Sequence, residues 1–298
     1  MNNNNRIIAR IFGGLGNQLF CYAAARRMAL ANRAELVIDD ISGFVRDFNH
    51  QRFYQLDNFS IPCRKATSAE RLEPFSLIRR KLLRTFNDHL PFYKRNYIYE
   101  NGMGFDERVI KYMVTDTIRM EGYWQSEKYF KDEETIIRSD LKFKSINDKQ
   151  NINTANQITN NISIGVHVRF FDTNNINGSD NIKIDYYKYA YNKINSLIPN
   201  AHYFIFSDCP DLVNSYLPFP AKKKTFITHN QGDDKAHADL WLLSQCKHFI
   251  IANSTFSWWG AWLSEYKHKI VIAPDIVKSE GDSWWGFRGL LPDTWIKI

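Results

Sequence analysis

Phe249-Ile250-Ile251-Ala252-Asn253-Ser254-Thr255-Phe256-Ser257-Trp258-Trp259-Gly260 is the stretch that sets the fold. The apolar run Phe249 to Asn253 reads as a buried strand, and the helical spacing from Thr255 to Tyr266 reads as a helix. Working outward, the same alternation continues in both directions. Upstream lie a helix over Ala236 to Cys246, a short strand over Thr225 to Thr228 and a helix over Asp211 to Leu217. Before these come a strand over Tyr203 to Ser207, a helix over Asp185 to Leu197 and a strand over Ile162 to Phe170. Downstream, Lys269 to Ala273 is a further strand. Apolar strands alternating with helices are the pattern of a parallel, doubly wound α/β sheet, whose strands are covered on both faces and so lack polar alternation.

The chain opens on a similar unit. Ile7 to Phe12 is a β-branched run that meets Gly13-Gly14-Leu15-Gly16, Asn17 to Ala31 has helical spacing, and Glu35 to Ile38 is a second strand. Residues 41–160 are less regular and read as helices and loops. The segment Asn147 to Asn161 is rich in Asn and Gln and reads as an exposed linker. The expected organisation is two Rossmann-like domains, residues 1–155 and 156–298.

With 298 residues and 44% hydrophobic content, the chain is long enough to bury sizeable cores. Its Gly and Pro content is too low for a low-complexity chain. The net charge of +7 suits an anionic partner, but no stacking platform or recognition helix points to nucleic acid. Four scattered cysteines without C-x-x-C spacing argue against zinc-ribbon and thioredoxin-like motifs. Met1 to Asn5 is polar and no apolar run is long enough to span a bilayer, so the expectation is a soluble, reduced, cytoplasmic protein. Basic residues Arg79, Arg80, Lys81 and Arg84 sit among aromatics between Phe75 and Tyr97; they fit a solvated face or peripheral contact with a membrane.

In a doubly wound sheet, ligands bind beyond the carboxyl ends of the strands, and four polar clusters fall there. Gly14, Gly16, Asn17 and Gln18 lie where the first strand enters its helix, as an anion-binding turn or an ordinary tight one. His167 and Arg169 share a strand face, with Asp172 just beyond; Arg suits bidentate phosphate contact, or an ion pair at the strand end. Asp208 is placed to accept from a ribose or base edge, or to cap the next helix. Asn253, Ser254, Thr255 and Phe256 open a helix whose free amides and hydroxyls suit phosphate, although a single cap needs only one hydroxyl. Seven of eight tryptophans lie at or after Trp241; at helical spacing, Trp258, Trp259 and Trp262 read as core rather than a sugar-stacking wall. There is no D-x-D, H-E-x-x-H, G-x-S-x-G or Walker A motif.

Taken in order, these residues resemble the bacterial α-1,2-fucosyltransferases of glycosyltransferase family 11. Gly13-Gly14-Leu15-Gly16-Asn17-Gln18-Leu19-Phe20 is similar to that family's N-terminal signature, and Gly122-Tyr123-Trp124-Gln125-Ser126 to a mid-chain block. His167-Val168-Arg169-Phe170-Phe171-Asp172 resembles its H-x-R-R-x-D motif, and Phe204 to Asp208 another block. Asp239-Leu240-Trp241-Leu242-Leu243-Ser244 through Trp259 resembles the longest block. The blocks follow family order across almost the whole chain. Phe170 departs from the pattern, standing where the motif usually has a second arginine.

The resemblance implies a GT-B-like fold with GDP-β-L-fucose in a cleft between the two domains, the first on the acceptor side and the second binding the GDP-sugar. It implies inverting transfer to a galactose 2-hydroxyl with no metal or other cofactor. The acceptor would be a surface glycan, lipid-linked at the inner face of the membrane, as in O-antigen or capsule synthesis. Arg169 would contact the β-phosphate, Ser254 and Thr255 phosphate oxygens, and His167 and Asp208 the ribose and guanine. Asp172, Glu127 and Asp39 are open candidates for the general base. Two other readings remain: a transferase using another nucleotide sugar, or a carbohydrate-binding protein without turnover.

Overall fold

Five short parallel strands organise the described residues of the protein's first half. The computed structural model describes residues 5–276 and 289–298, apart from 49, 103, 172, 174–177, 179, 180 and 218. The chain divides after Lys144 into two units, with Gly289 and Leu290 counted with the first and Leu291–Ile298 with the second.

In the first unit the elements run β1 (Arg6–Arg10), α1 (Leu15–Asn32), β2 (Glu35–Asp39), β3 (Arg64–Lys65), α2 (Ser76–Asp88), β4 (Tyr97–Tyr99), α3 (Glu107–Ile110), β5 (Thr117–Glu121) and α4 (Glu134–Asp140). The strands are all parallel, in the order β3-β2-β1-β5-β4. Register places Ile8 of β1 between Val37 of β2 and Arg119 of β5. Helix α1 is buried on nearly every side, which explains its Ala23-Ala24-Ala25 run and weak amphipathicity. It ends at Arg33, which takes the left-handed conformation (φ 50°) and donates its N–H to the Leu30 carbonyl.

The second unit contains α5 (Lys149–Asn160), β6 (Ser163–Val168), α6 (Ile184–Leu197), β7 (His202–Ser207), α7 (Pro210–Tyr216), β8 (Lys224–Ile227), α8 (Ala236–Ser244), β9 (His248–Ile250), α9 (Thr255–Leu263), β10 (Val271–Ala273) and β11 (Ile296–Lys297). Its sheet is parallel, ordered β11-β10-β9-β6-β7-β8. Counted from the unit's own first strand this is 6-5-4-1-2-3, the Rossmann order, with its direction of winding reversed between β6 and β9. Every residue of β6 is buried, so its sequence shows no alternation. Leu243 of α8 fills the space left by Gly165 of β6 and Gly260 of α9. A Cβ on either glycine would lie 2.6 or 2.4 Å from a Leu243 methyl, which is why both positions are glycine.

Two expectations change here. The Asn/Gln-rich segment is helix α5, not a linker, and the division between units precedes it. Asp148 caps α5 by accepting from the Asn151 N–H at 2.8 Å, and Asn151, Thr154, Ala155 and Ile158 form its buried stripe. Three of the four stripe residues are small or polar, so the segment's mean composition resembles that of a loop. The irregular region 41–160 also supplies β3, β4 and β5 to the first sheet; β5, Thr-Ile-Arg-Met-Glu, is hidden by two charges, Glu121, which bonds Arg10 and Tyr97, and Arg119, which donates to the Glu70 carbonyl.

Candidate functional site

The point at which strand order reverses in the second sheet lies between β6 and β9, paired through Ile164–His248 and Val166–Ile250. The chain leaving β6 carries Arg169, and the chain leaving β9 carries Asn253 and Ser254 into α9. The two meet directly: the His167 ring lies 5.3 Å from that of Phe256 in the first turn of α9. On the other flank, β7 pairs Val168 with Ser207, which brings Asp208 beside Arg169. Arg169 Nη1 reaches Asp208 Oδ2 at 2.7 Å, and Asp208 Oδ1 accepts from the Phe170 N–H at 3.3 Å. The Arg169 side chain remains 30% exposed. The structure thus brings His167, Arg169, Asp208, Asn253, Ser254, Thr255 and Phe256 together in one unit.

Arg169 therefore pairs with Asp208; Asp172 lies outside the described residues. Burial pushes the Asp208 carboxyl up, and the guanidinium opposes it. His167 is 5% exposed, and burial together with the Arg169 charge pushes its imidazole down to about 3, so the ring is neutral. Its Nδ1 is buried without a hydrogen-bond partner among the described residues. An orphaned polar atom is costly in a closed interior and is the kind of group a ligand completes. Ser254 occupies the N-cap position of α9, yet its side chain makes no cap bond. The Ser257 hydroxyl, by contrast, is spent on the Ser254 carbonyl at 3.1 Å. The start of α9 offers its dipole and amides to an anion. Phe170 is 3% exposed and belongs to the core cluster of this unit. Trp258, Trp259 and Trp262 are buried and mutually packed, so they support α9 from behind.

Sequence reading gave no role to Asp239. It lies near the start of α8, where Asn230 Nδ2 donates to its Oδ1 at 2.8 Å, and burial pushes its carboxyl up to about 7. Asn230 is in turn bonded to Asn151, which also bonds the His229 ring. The signal in the sequence was an acidic residue leading an apolar helix, which a first-turn dipole argument accounts for equally well.

The glycine turn belongs to the first unit, at its own reversal point between β1 and β5. Gly13 has φ +78°, and a Cβ there would meet Asn17 and Tyr123 at 3.1 Å. Gly14 is the uncapped N-cap of α1, Gly16 is buried in the first turn, and Asn17 Oδ1 accepts from Gln125 Nε2 at 2.9 Å. Gln18 is fully buried. Its Nε2 donates to the Gly13 and Phe53 carbonyls and its Oε1 accepts from the Gln55 N–H. Its amide pins the loop, which leaves it no group to offer a ligand. Glu100, also unremarked in the sequence, accepts from the N–H groups of Tyr123 and Trp124 and so holds the Gly122–Ser126 block.

The candidate bases differ in availability. Asp39 is 2% exposed, bonded to Arg80 at 2.9 Å and to Ser42 through both its N–H and its hydroxyl. Glu127 pairs with the exposed Lys131 at 2.8 Å. Among the described residues, no group of three His, Cys, Asp or Glu side chains is placed to hold a metal ion, and no helix is long and apolar enough to cross a membrane.

The buried histidines make a pH test. His248 accepts from the Ile270 N–H through Nδ1, and burial pushes it down to about 4. Unfolded, both histidines titrate near 6.5, so below that pH the unfolded chain binds protons that the folded chain does not. Their contribution is complete above about 6.5 and is lost as pH falls toward about 4, while the raised Asp239 carboxyl acts in the opposite sense. The urea midpoint of the wild type minus that of His248→Asn should rise from pH 5 to pH 7.5, because only the wild type gains as the unfolded imidazole loses its proton. A difference independent of pH would contradict the neutral assignment.

The model for the family described as "Glycosyl transferase family 11" matches residues 7–283. An alpha-1,2-colitosyltransferase of Escherichia coli is 26% identical, over 98% of this chain and 98% of its own. The O-antigen biosynthesis glycosyltransferase WbnK of Escherichia coli is 28% identical, over 96% of this chain and 98% of its own. Among solved structures, a mutant of Arabidopsis thaliana FUT1 in complex with GDP aligns with a TM-score of 0.51 at 13% identity, covering 90% of this chain and 70% of that one. The architecture shared is α/β and GT-B-like: two parallel sheets, each clothed in helices.

Proposed function

Because the chain belongs to glycosyltransferase family 11 and is a glycosyltransferase, we propose that it transfers L-fucose from GDP-β-L-fucose to the 2-hydroxyl of a terminal galactose, with inversion and without a metal ion. One observation carries the reading. Arg169, neutral His167 and the uncapped start of α9 converge where the second sheet reverses its winding. The GDP in the FUT1 structure and the α-1,2 linkage in the colitosyltransferase's name point the same way.

In this reaction the bond between fucose C1 and the β-phosphate oxygen breaks, and its electron pair stays with GDP. The fucose ring becomes oxocarbenium-like, and the galactose 2-oxygen bonds to C1 from the opposite face. Arg169 and the first-turn amides of α9 face the charge that grows on the β-phosphate. Donors held in place beforehand cost no reorganisation at the moment of reaction. The Ser254 and Thr255 hydroxyls add neutral donors to the same oxygens. His167 Nδ1 completes its hydrogen bonding on the nucleoside or sugar. The 2-hydroxyl proton passes to a carboxylate. Asp39 is already committed to Arg80, so Glu127 and Asp172 are the residues to test.

A second reading keeps the site and changes the sugar, since the colitosyltransferase is similar to the whole chain. Turnover of GDP-fucose, GDP-colitose, GDP-mannose and UDP-galactose, measured side by side on one β-galactoside, separates the two. GDP-fucose is expected to give the highest kcat/KM. A higher value for GDP-colitose would move the sugar and keep the site, whereas turnover of UDP-galactose alone would overturn the donor assignment.

A further inference from the structure

Helix α2 is built inside out. Its buried face is polar: Arg80, 7% exposed, bonds Asp39 and the Arg71 carbonyl, and Asn87, fully buried, accepts from the N–H groups of Asn96 and Tyr97. Its outward face is apolar. Phe75 just ahead of the helix and Ile78, Leu82 and Phe86 within it stand 71%, 61%, 64% and 63% exposed. Their spacing of three, four and four residues makes one continuous row. Scattered exposed apolar side chains need no explanation, but a row on the face opposite a helix's own polar contacts does.

Charge decides what covers the row. Arg79 and Lys81 are exposed beside it, and neither has a carboxylate partner among the described residues; Arg79 donates to the Glu73 carbonyl. From Phe75 to Arg95 the sole acid is Asp88, which accepts from the Tyr99 hydroxyl. A second copy of the same face would set these cations against each other. The surface that receives apolar side chains in its interior and cations at its rim is an anionic lipid bilayer.

We propose that α2 lies in the plane of an anionic membrane, with Phe75, Ile78, Leu82 and Phe86 in the acyl boundary and Arg79 and Lys81 among the headgroups. This stands independently of the donor and acceptor reading. At 13 residues the helix is about 20 Å long and lies on the surface rather than spanning it. The contact is peripheral and reversible.

The test is co-sedimentation of the full chain with phosphatidylglycerol-containing vesicles and with pure phosphatidylcholine vesicles. Wild type is expected to sediment with the anionic vesicles and to be released by salt. Arg79→Gln with Lys81→Gln should weaken that binding about 25-fold, at roughly fivefold per cation. Ile78→Ser with Leu82→Ser and Phe86→Ser should abolish it while leaving the unfolding temperature unchanged or higher, since these side chains face solvent. Wild type remaining in the supernatant, or the triple variant binding as well as wild type, would overturn the proposal. So would a wild-type dimer in light scattering that the triple variant loses, since it would assign the face to a second copy.

Discussion

Arg169→Ala is expected to lower kcat/KM for glycosyl transfer by about a hundredfold to a thousandfold, the usual cost of deleting one preorganised charge stabiliser. The fold should survive. The Arg169 and Asp208 side chains are 30% and 26% exposed, so loss of the pair removes little stability, on the order of 1 kcal/mol or less after solvent screening. Without the guanidinium, the Asp208 carboxyl, already raised by burial, rises further and takes up a proton at higher pH. Arg169→Lys should recover only part of the activity, because an ammonium lacks the fork that grips two phosphate oxygens. The readouts are steady-state turnover, GDP titration and the unfolding midpoint. Near-normal turnover with Arg169→Ala would remove the guanidinium from the donor site.

Asp39→Asn is expected to act on stability instead of chemistry. Asp39 and Arg80 have side-chain exposures of 3% and 9%, so removing the carboxylate charge leaves a buried guanidinium uncompensated, at a cost of about 3–5 kcal/mol. Against a total of about 5–15 kcal/mol, that is a large part of the protein's stability. Asp39→Leu with Arg80→Met removes both charges and should restore much of the loss. Denaturant midpoints and turnover per folded molecule separate the roles. A variant that keeps the wild-type midpoint but has no turnover would make Asp39 the base after all.

The second unit was legible in the sequence because parallel strands buried on both faces are written as unbroken apolar runs. Residues 203–206 of β7 and 249–252 at β9 are such runs, β6 departs from one only at Ser163 and His167, and each strand leads into a polar cluster. The Arg169–Asp208 pair could not be read, because it depends on β6 and β7 pairing Val168 with Ser207 across an intervening helix. Helix α5 hid behind its Asn-rich composition, since Asn151 is buried by bonding Asp148 and Asn230 rather than by being apolar. Gln18 looked like a ligand-binding residue because a Gln after a glycine turn suits either task; only its three backbone partners reveal that it holds the loop. The basic run at 79–84 contains two kinds of residue that look alike in sequence. Arg80 and Arg84 are spent on Asp39 and Glu121, and Arg79 and Lys81 are presented outward.

GDP release from GDP-fucose, measured in EDTA with and without a terminal β-galactoside such as lactose, tests the central claim most directly when the product linkage is read by NMR. The expected result is acceptor-stimulated release and a new α-linkage at the galactose 2-position. Release that depends on added divalent metal, or a product linked at another hydroxyl, would contradict it.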